Sequence, residues 1–246
     1  MNKEVVVSDL GLIPYKTARS IQENVLGAIV KEKNGDYGGT PNHVFFCEHP
    51  HVYTSGRSGC EDNLLVDRQV LKKIGAEYHK TNRGGDITYH GPGQIVVYPV
   101  IDLDNIRISV KKYIFLLEET VIRTLTGYGL RGERLHGATG VWLDSVNADK
   151  ARKICAIGVR ISRWVTMHGF ALNVNTGLDF FNYIHPCGLI GCNITSMEKE
   201  LGRKQDTAKV KTILLKHFTD VFRVKVKHEL TEVTYQNTEQ LWKKDG

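Results

Sequence analysis

Long apolar runs are missing from this 246-residue chain, and cysteine, proline and methionine are sparse at 5, 6 and 3 residues. No stretch approaches the roughly 20 consecutive apolar residues that span a bilayer. The opening MNKEVVVSDLGL lacks the apolar core of a secretory signal. An odd number of cysteines, at Cys47, Cys60, Cys155, Cys187 and Cys192, is too few and too scattered for a disulfide scaffold. These absences predict a soluble protein of a reducing compartment, with no membrane partner and with the cytoplasm as its expected location. Charge is only mildly biased: 33 Lys and Arg against 27 Asp and Glu leave +6. That excess favours an acidic partner. No dense basic run, RNP sequence or zinc-finger spacing selects nucleic acid.

A 41% hydrophobic, 24% charged composition excludes a disordered chain and predicts a globular one large enough to bury a core without cross-links. Apolar residues at Ala18, Ile21, Val25, Ala28 and Ile29 predict a helix over Tyr15 to Lys33. Those at Val110, Ile114, Leu117, Val121 and Leu125 predict a second, opened by Ser109. Asp67 and Asp206 are candidate caps for two more. A turn is expected at Asp9–Gly11 and a loop at NGDYGGTPN. Strands are expected at Glu4–Ser8, His43–Phe46, Glu77–Lys80 and Gln94–Leu103, with Pro99 marking an edge or a strand end. GVWLD, KICAIGVRI and WVTMHGFALNVN read as adjacent antiparallel strands. Strands in runs, rather than strict alternation with helices, predict an α+β fold. With no repeat and no low-complexity linker, residues 1–246 are expected to form a single domain.

Several segments carry possible chemistry. Gly127-Tyr-Gly-Leu-Arg-Gly132 matches the dinucleotide pattern G-x-G-x-x-G, but a helix precedes it where the mechanism needs a strand, so Gly127 reads as a helix C-cap. Arg83-Gly-Gly-Asp-Ile-Thr-Tyr-His90-Gly-Pro-Gly93 combines bare backbone with polar and aromatic groups. That suits either a ligand wall or an elaborate hairpin. Cys187, between Pro and Gly in His185-Pro-Cys-Gly188, sits on a tight turn that can present a nucleophile, whereas Cys47 and Cys155 lie in apolar strands. Lys153 opens the strand KICAIGVR; it can act there as a base or favour a nearby thiolate, or simply reach water from the strand end. His49, His51, His185, Cys187 and Cys192 match no common zinc spacing, and no metal is expected.

At RGGDITYHGPGQIVVYP the sequence resembles the lipoyl(octanoyl) transferase family. KICAIGVR, HGFALNVN and HPCGL resemble, in order, that family's lysine strand, substrate-binding turn and cysteine loop. EHPHVYTSGR and NITSM also fit, and the resemblance covers roughly residues 44–201. Cys155 departs from it, standing where Ala or Ser is more usual. The resemblance implies a mixed β-sheet with flanking helices, similar to the catalytic domain of biotin and lipoate protein ligases. It implies Cys187 and Lys153 as catalytic residues. It implies substrate contacts at Arg83, Gly84, Gly85, Asp86, Ile87, Thr88, Tyr89 and His90, at Ala156, Ile157 and Gly158, and at Gly169, Phe170 and Ala171. Tyr89 is expected to help line an acyl tunnel.

The implied reaction moves an octanoyl group from octanoyl-acyl carrier protein to a lysine of lipoyl domains. The acceptors would be 2-oxoacid dehydrogenases and the glycine-cleavage H protein. The reaction needs no cofactor, since a thioester is already activated, and a monomer is the default expectation. An ATP-dependent lipoate or biotin ligase of the same scaffold is the alternative; a non-catalytic carrier-binding module and a zinc hydrolase are more remote ones.

Overall fold

A computed structural model describes residues 3–33, 42–185 and 193–230. The expected NGDYGGTPN loop, apart from Asn42, lies outside the described residues, as do Cys187 and Cys192. Strand β1 (Glu4–Leu12) leads into helix α1 (Tyr15–Lys33) and strands β2 (Asn42–Glu48) and β3 (Val52–Ser55). Helix α2 (Arg68–Lys73), strands β4 (Glu77–Lys80), β5 (Ile87–His90) and β6 (Gln94–Val100) follow. Next come helices α3 (Leu103–Ile106) and α4 (Val110–Thr126) and strands β7 (Glu133–Leu135), β8 (Ala138–Leu143), β9 (Arg152–Ser162) and β10 (Val165–Asn173). Beyond a 3-10 turn at Leu178–Tyr183 come β11 (Asn193–Ile194), α5 (Met197–Leu201), α6 (Thr207–Phe222) and β12 (Lys225–Leu230).

The main sheet runs β12-β1-β2-β6-β10-β9-β8-β7, with β11 joined to β9. Pairing is parallel for β1 with β2 and β12, and antiparallel from β2 through β6, β10, β9 and β8 to β7. A small second sheet, β4-β3-β5, stands beside it. The fold is therefore α+β, with a mixed sheet between helices. Helices α4 and α6 cover one face through Leu117, Val121, Leu214 and Phe218, which pack with Val44, Ile95 and Leu172. Helix α1 covers part of the other face through Ala18, Ile21 and Val25, against Phe45, Val96 and Ala171.

Local chemistry explains the helix starts. The Asp67 carboxylate accepts from the Gln69 and Val70 amides at 2.8 and 2.9 Å, and the Ser109 hydroxyl accepts from Lys112 at 3.2 Å. Asp206 accepts from the Lys209 amide at 3.1 Å. These bonds satisfy donors that a helix leaves open in its first turn. Gly127 is the C-cap of α4, although the left-handed residue is Gly129 (φ +76°).

Three expectations change. The Asp9–Gly11 turn is a shift of register inside β1, with Gly11 at φ +61°. The strand expected to reach Leu103 stops at Val100, because Asp102 caps α3 by accepting from the Asp104 amide at 3.1 Å. HGFALNVN lies almost wholly in β10 and is not a turn. Pro99 is indeed near a strand end, yet in the middle of the sheet. The β6–β10 ladder ends at the Val97–Phe170 pair, and the Thr166 hydroxyl bridges the gap, donating to Pro99 O at 2.8 Å and accepting from the Ile101 amide at 3.0 Å.

Candidate active site

A cavity of about 420 Å³ opens on the α1 face of the main sheet, between it and the small sheet. Its walls come from separate parts of the chain: Arg83, Gly85, Asp86, Ile87, Thr88 and His90 on one side, and Lys153, Ala156, Ile157 and Gly158 from β9. Gly169, Phe170 and Ala171 come from β10, Val96 and Tyr98 from β6, and Gly137, Ala138 and Thr139 from the entry to β8.

The Gly-rich segment is both a hairpin and a cavity wall. Its backbone is pinned on two sides: the Arg57 amide donates to Arg83 O at 2.9 Å, and the Gly84 amide donates to Val159 O on β9 at 2.8 Å. Gly85 has φ +83°, a conformation that only glycine adopts without strain. The Arg83 side chain is buried. Its Nη2 donates to Thr54 O and Oγ1, and its Nη1 to Gly84 O at 3.0 Å. The Asp86 carboxylate accepts from Asn63 Nδ2 at 2.5 Å and from the Ile87 amide at 2.6 Å.

Two of the expected contacts fall outside the cavity wall. Tyr89 lines no tunnel, because alternation along β5 turns Thr88 and His90 to the cavity and Tyr89 the opposite way. Its ring stacks on Phe180 with centroids 5.0 Å apart, and its hydroxyl pairs with His51 Nδ1 at 2.7 Å. Gly84 is spent on the backbone contact with β9.

The floor is made of small residues facing one another across β9 and β10: Ala156 opposite Ala171, and Gly158 opposite Gly169. The glycines serve close packing of backbone. A Cβ on Gly158 would sit 2.9 Å from Gly84 O, and one on Gly169 would sit 2.1 Å from Val97 O.

Lys153 reaches this cavity through an irregularity in the sheet. Ile157, Val159 and Ile161 point toward the α4 side, so strict alternation would drive Lys153 into the core with them. Val141 pairs with Cys155 but Trp142 pairs with Lys153, which leaves Ile154 as an extra residue on β9. This bulge reverses the parity and sends Lys153 to the face of Ala156. Its ammonium lies 4.6 Å from the Trp142 ring centroid, and the residue is 5% exposed. Gly140 (φ +126°) serves the backbone beside it: a Cβ there would sit 2.6 Å from Cys155 O.

The chain that carries Cys187 is anchored on both sides of the residues lying outside the described ones. The His185 amide donates to Asn63 O at 2.9 Å, and on the far side Ile194 pairs with Lys153 itself. The Thr195 amide donates to Lys153 O at 3.0 Å. Arg152, the neighbour of Lys153, forms a two-pronged pair with Glu200 at 2.6 and 2.7 Å.

The inner end of the cavity was the least legible part. Tyr98, in a run that reads only as a strand, holds His49 Nε2 at 2.8 Å, while His49 Nδ1 meets Ile13 O at 2.7 Å. Both ring nitrogens of His49 thus have protein partners, which leaves no lone pair for a metal. Among the described residues no three His, Cys, Asp or Glu side chains gather as metal ligands would. His90 Nδ1 lies 2.8 Å from Gln94 Oε1. His168, with φ +60°, is the strained member. Its amide donates to Gln22 Oε1 of α1 at 2.9 Å, and its ring turns toward Tyr98, with centroids 6.5 Å apart. Burial above all lowers the pKa of His49 to about 4 and those of His90 and His168 to about 3. The cavity is therefore lined by the neutral imidazoles of His90 and His168, with that of His49 bonded to Tyr98 behind the wall. Burial likewise pushes the Cys47 and Cys155 thiols well above their usual range, so neither serves as a nucleophile.

The chain is similar to known proteins in sequence and in fold. The family model for the lipoyl protein ligase A/B catalytic domain matches residues 14–219. An octanoyltransferase of Christiangramia forsetii is 54% identical over 235 residues, 93% of this chain and all of that protein. One from Bacteroides fragilis is 53% identical over 209 residues, covering 85% of this chain and 93% of its own. Among solved structures, the bipartite lipoate protein ligase of Thermoplasma acidophilum superposes with a TM-score of 0.70 at 17% identity, over 98% of this chain and 91% of that one. At that identity the likeness speaks for the fold alone.

Proposed function

We propose that this chain, which belongs to the lipoyl protein ligase A/B catalytic-domain family, is an octanoyltransferase acting on protein-bound substrates. The donor is octanoyl-acyl carrier protein and the acceptor is a lysine of a lipoyl domain, such as those of 2-oxoacid dehydrogenases and the glycine-cleavage H protein. The whole chain acts as one catalytic domain and as a monomer, in the reducing cytoplasm. The observation that carries the reading is Lys153: a lysine turned into a lined cavity by a bulge, on the strand that receives the segment following Cys187.

The Cys187 thiolate attacks the thioester carbonyl, and the carbon–sulfur bond to the carrier breaks. The released pantetheine sulfur takes up the proton that left Cys187. The acceptor lysine, as a free amine, then attacks the acyl-cysteine. An amide forms, Cys187 leaves as thiolate, and one proton departs from the new amide nitrogen. Lys153 favours the thiolate by its charge and carries protons between these groups. The Gly-rich segment and the Ala156–Ala171 floor hold the acyl chain. Amides at residues 156–158 or 169–171 face the developing oxyanion. Exchange between thioesters is nearly isoenergetic and amide formation is downhill, so no ATP is required.

Mixing the protein with octanoyl-acyl carrier protein should place octanoate on Cys187, seen by peptide mass spectrometry, and a lipoyl domain should then remove it without ATP. An unmodified Cys187 during turnover would sink the covalent route. Transfer from free octanoate and ATP, but not from the carrier, would make the protein a ligase.

A further inference from the structure

The cavity takes its lining from β8, β9, β10 and β6 in turn, so it runs across the strands. Three strand spacings of about 4.8 Å give it a length of roughly 14 Å. Lys153 and Thr139 stand at the β8–β9 end, and Tyr98 stands at the β6 end. Val96 pairs with Ala171 and Ala171 with Ala156, so a row of small or medium side chains forms the floor between them.

The next row is filled. On β9 the Arg83 chain lies over Gly158, where a Cβ would come 3.2 Å from Arg83 Cδ. On β6 the corresponding side chain is the Tyr98 ring. That ring is 4% exposed, so packing holds it in place with or without its hydroxyl's contact to His49. The Tyr98 ring nevertheless reaches the end of the alanine row: its hydroxyl and the Sγ of Cys47, which stands opposite Val96, meet the same His49 Nε2 at 2.8 and 3.6 Å. A chain that starts beside Lys153 therefore runs along the alanine row, past Val96, and meets the Tyr98 ring.

We propose that Tyr98 is the end stop of the acyl channel and that the Ala156–Ala171 floor sets its depth, so that these residues select octanoyl over longer chains. The inference deepens the octanoyltransferase reading and rests on it. A rigid apolar pocket discriminates one methylene more or less by roughly 10–200-fold, which sets the scale of the effect.

The test is a competition among hexanoyl-, octanoyl- and decanoyl-acyl carrier proteins for one lipoyl-domain acceptor, with products counted by mass spectrometry. Tyr98→Leu should raise the decanoyl-to-octanoyl product ratio about tenfold or more. Ala171→Val should raise the hexanoyl-to-octanoyl ratio on a similar scale. Tyr98→Phe keeps the ring and should leave both ratios near those of the natural protein; a large change there would overturn the ring as the stop. Ratios do not depend on the folded fraction, and if Tyr98→Leu yields no folded protein, Ala171→Val decides the question. A natural protein that transfers no octanoyl group overturns the functional reading and this inference with it. One that does, with unchanged ratios in Tyr98→Leu and Ala171→Val, overturns this inference alone.

Discussion

Lys153 stands opposite Trp142, its ammonium 4.6 Å from the indole centroid, because β9 carries one residue more than β8 between this pair and Val141–Cys155. The bulge decides which face of the sheet holds the lysine. Replacing Lys153 with Ala should lower octanoyl transfer by about 10²–10⁴-fold, the usual range for a lost proton-transfer group. Acylation of Cys187 should slow along with overall turnover. Single-turnover kinetics check this, and acylation at the natural rate would remove Lys153 from the first step.

Thiol reactivity should divide the cysteines. Cys47 and Cys155 are buried and their thiols stay protonated near neutrality, whereas Cys60 is exposed. Peptide mapping after brief alkylation of the native protein at pH 8 should find Cys60 modified. Cys47 and Cys155 should react only after denaturation. Early labelling of Cys155 would mean that the β8–β9 region opens readily.

Acid should weaken the fold through four histidines. His43, His49, His90 and His168 have folded pKa values of about 4, 4, 3 and 3, below the ordinary 6.5 they regain on unfolding. Between these values the unfolded chain binds more protons. The stability they contribute is complete above about pH 6.5 and is lost as pH falls toward 4. Glu119 and Glu200, whose pKa values are lowered by arginine partners, add to the loss only below their ordinary 4.5. Urea unfolding at pH 7 and pH 5 isolates the histidine effect, and equal midpoints would refute it.

Gly169→Ala should destabilise the protein by about 1–3 kcal/mol, the usual cost of overpacking a filled site. The added carbon would meet Val97 O at 2.1 Å and Pro99 Cδ at 2.7 Å, forcing β6 and β10 apart. Gly129→Ala is the informative contrast. Unlike Gly169 it has a positive φ, of +76°, but nothing lies within 4 Å of the new carbon, so only backbone strain of about 1 kcal/mol is expected. Chemical denaturation of the two variants compares crowding with strain; equal losses would count against the crowding.

Association should be sensitive to salt. A net charge of +6 favours encounter with acidic carriers, and screening removes that advantage. Transfer at sub-saturating carrier should slow between low and physiological ionic strength. A flat response would leave the charge without a role in encounter.

Much of the fold was legible because its signals are local. Helix periodicity, Asp67, Ser109 and Asp206 as caps, and the alternation of the middle strands act within a few residues of themselves. The segments that the motifs singled out also come together in space, since Arg83, His90, Lys153, Ala156 and Ala171 all line one cavity. What residue type alone could not decide was direction. Tyr89 faces away from the cavity through the ordinary alternation of β5. Lys153 faces into it only because Ile154 is an extra residue, and His168 turns toward Tyr98 on a left-handed backbone held by Gln22. Tyr98 gave no signal at all, because the residues that meet it, Phe45, His49 and His168, lie about fifty to seventy positions away. The chain by itself determined its helices, its strands and the chemical groups available; only tertiary pairing decided their facing, because one residue of register reverses every side chain on a strand.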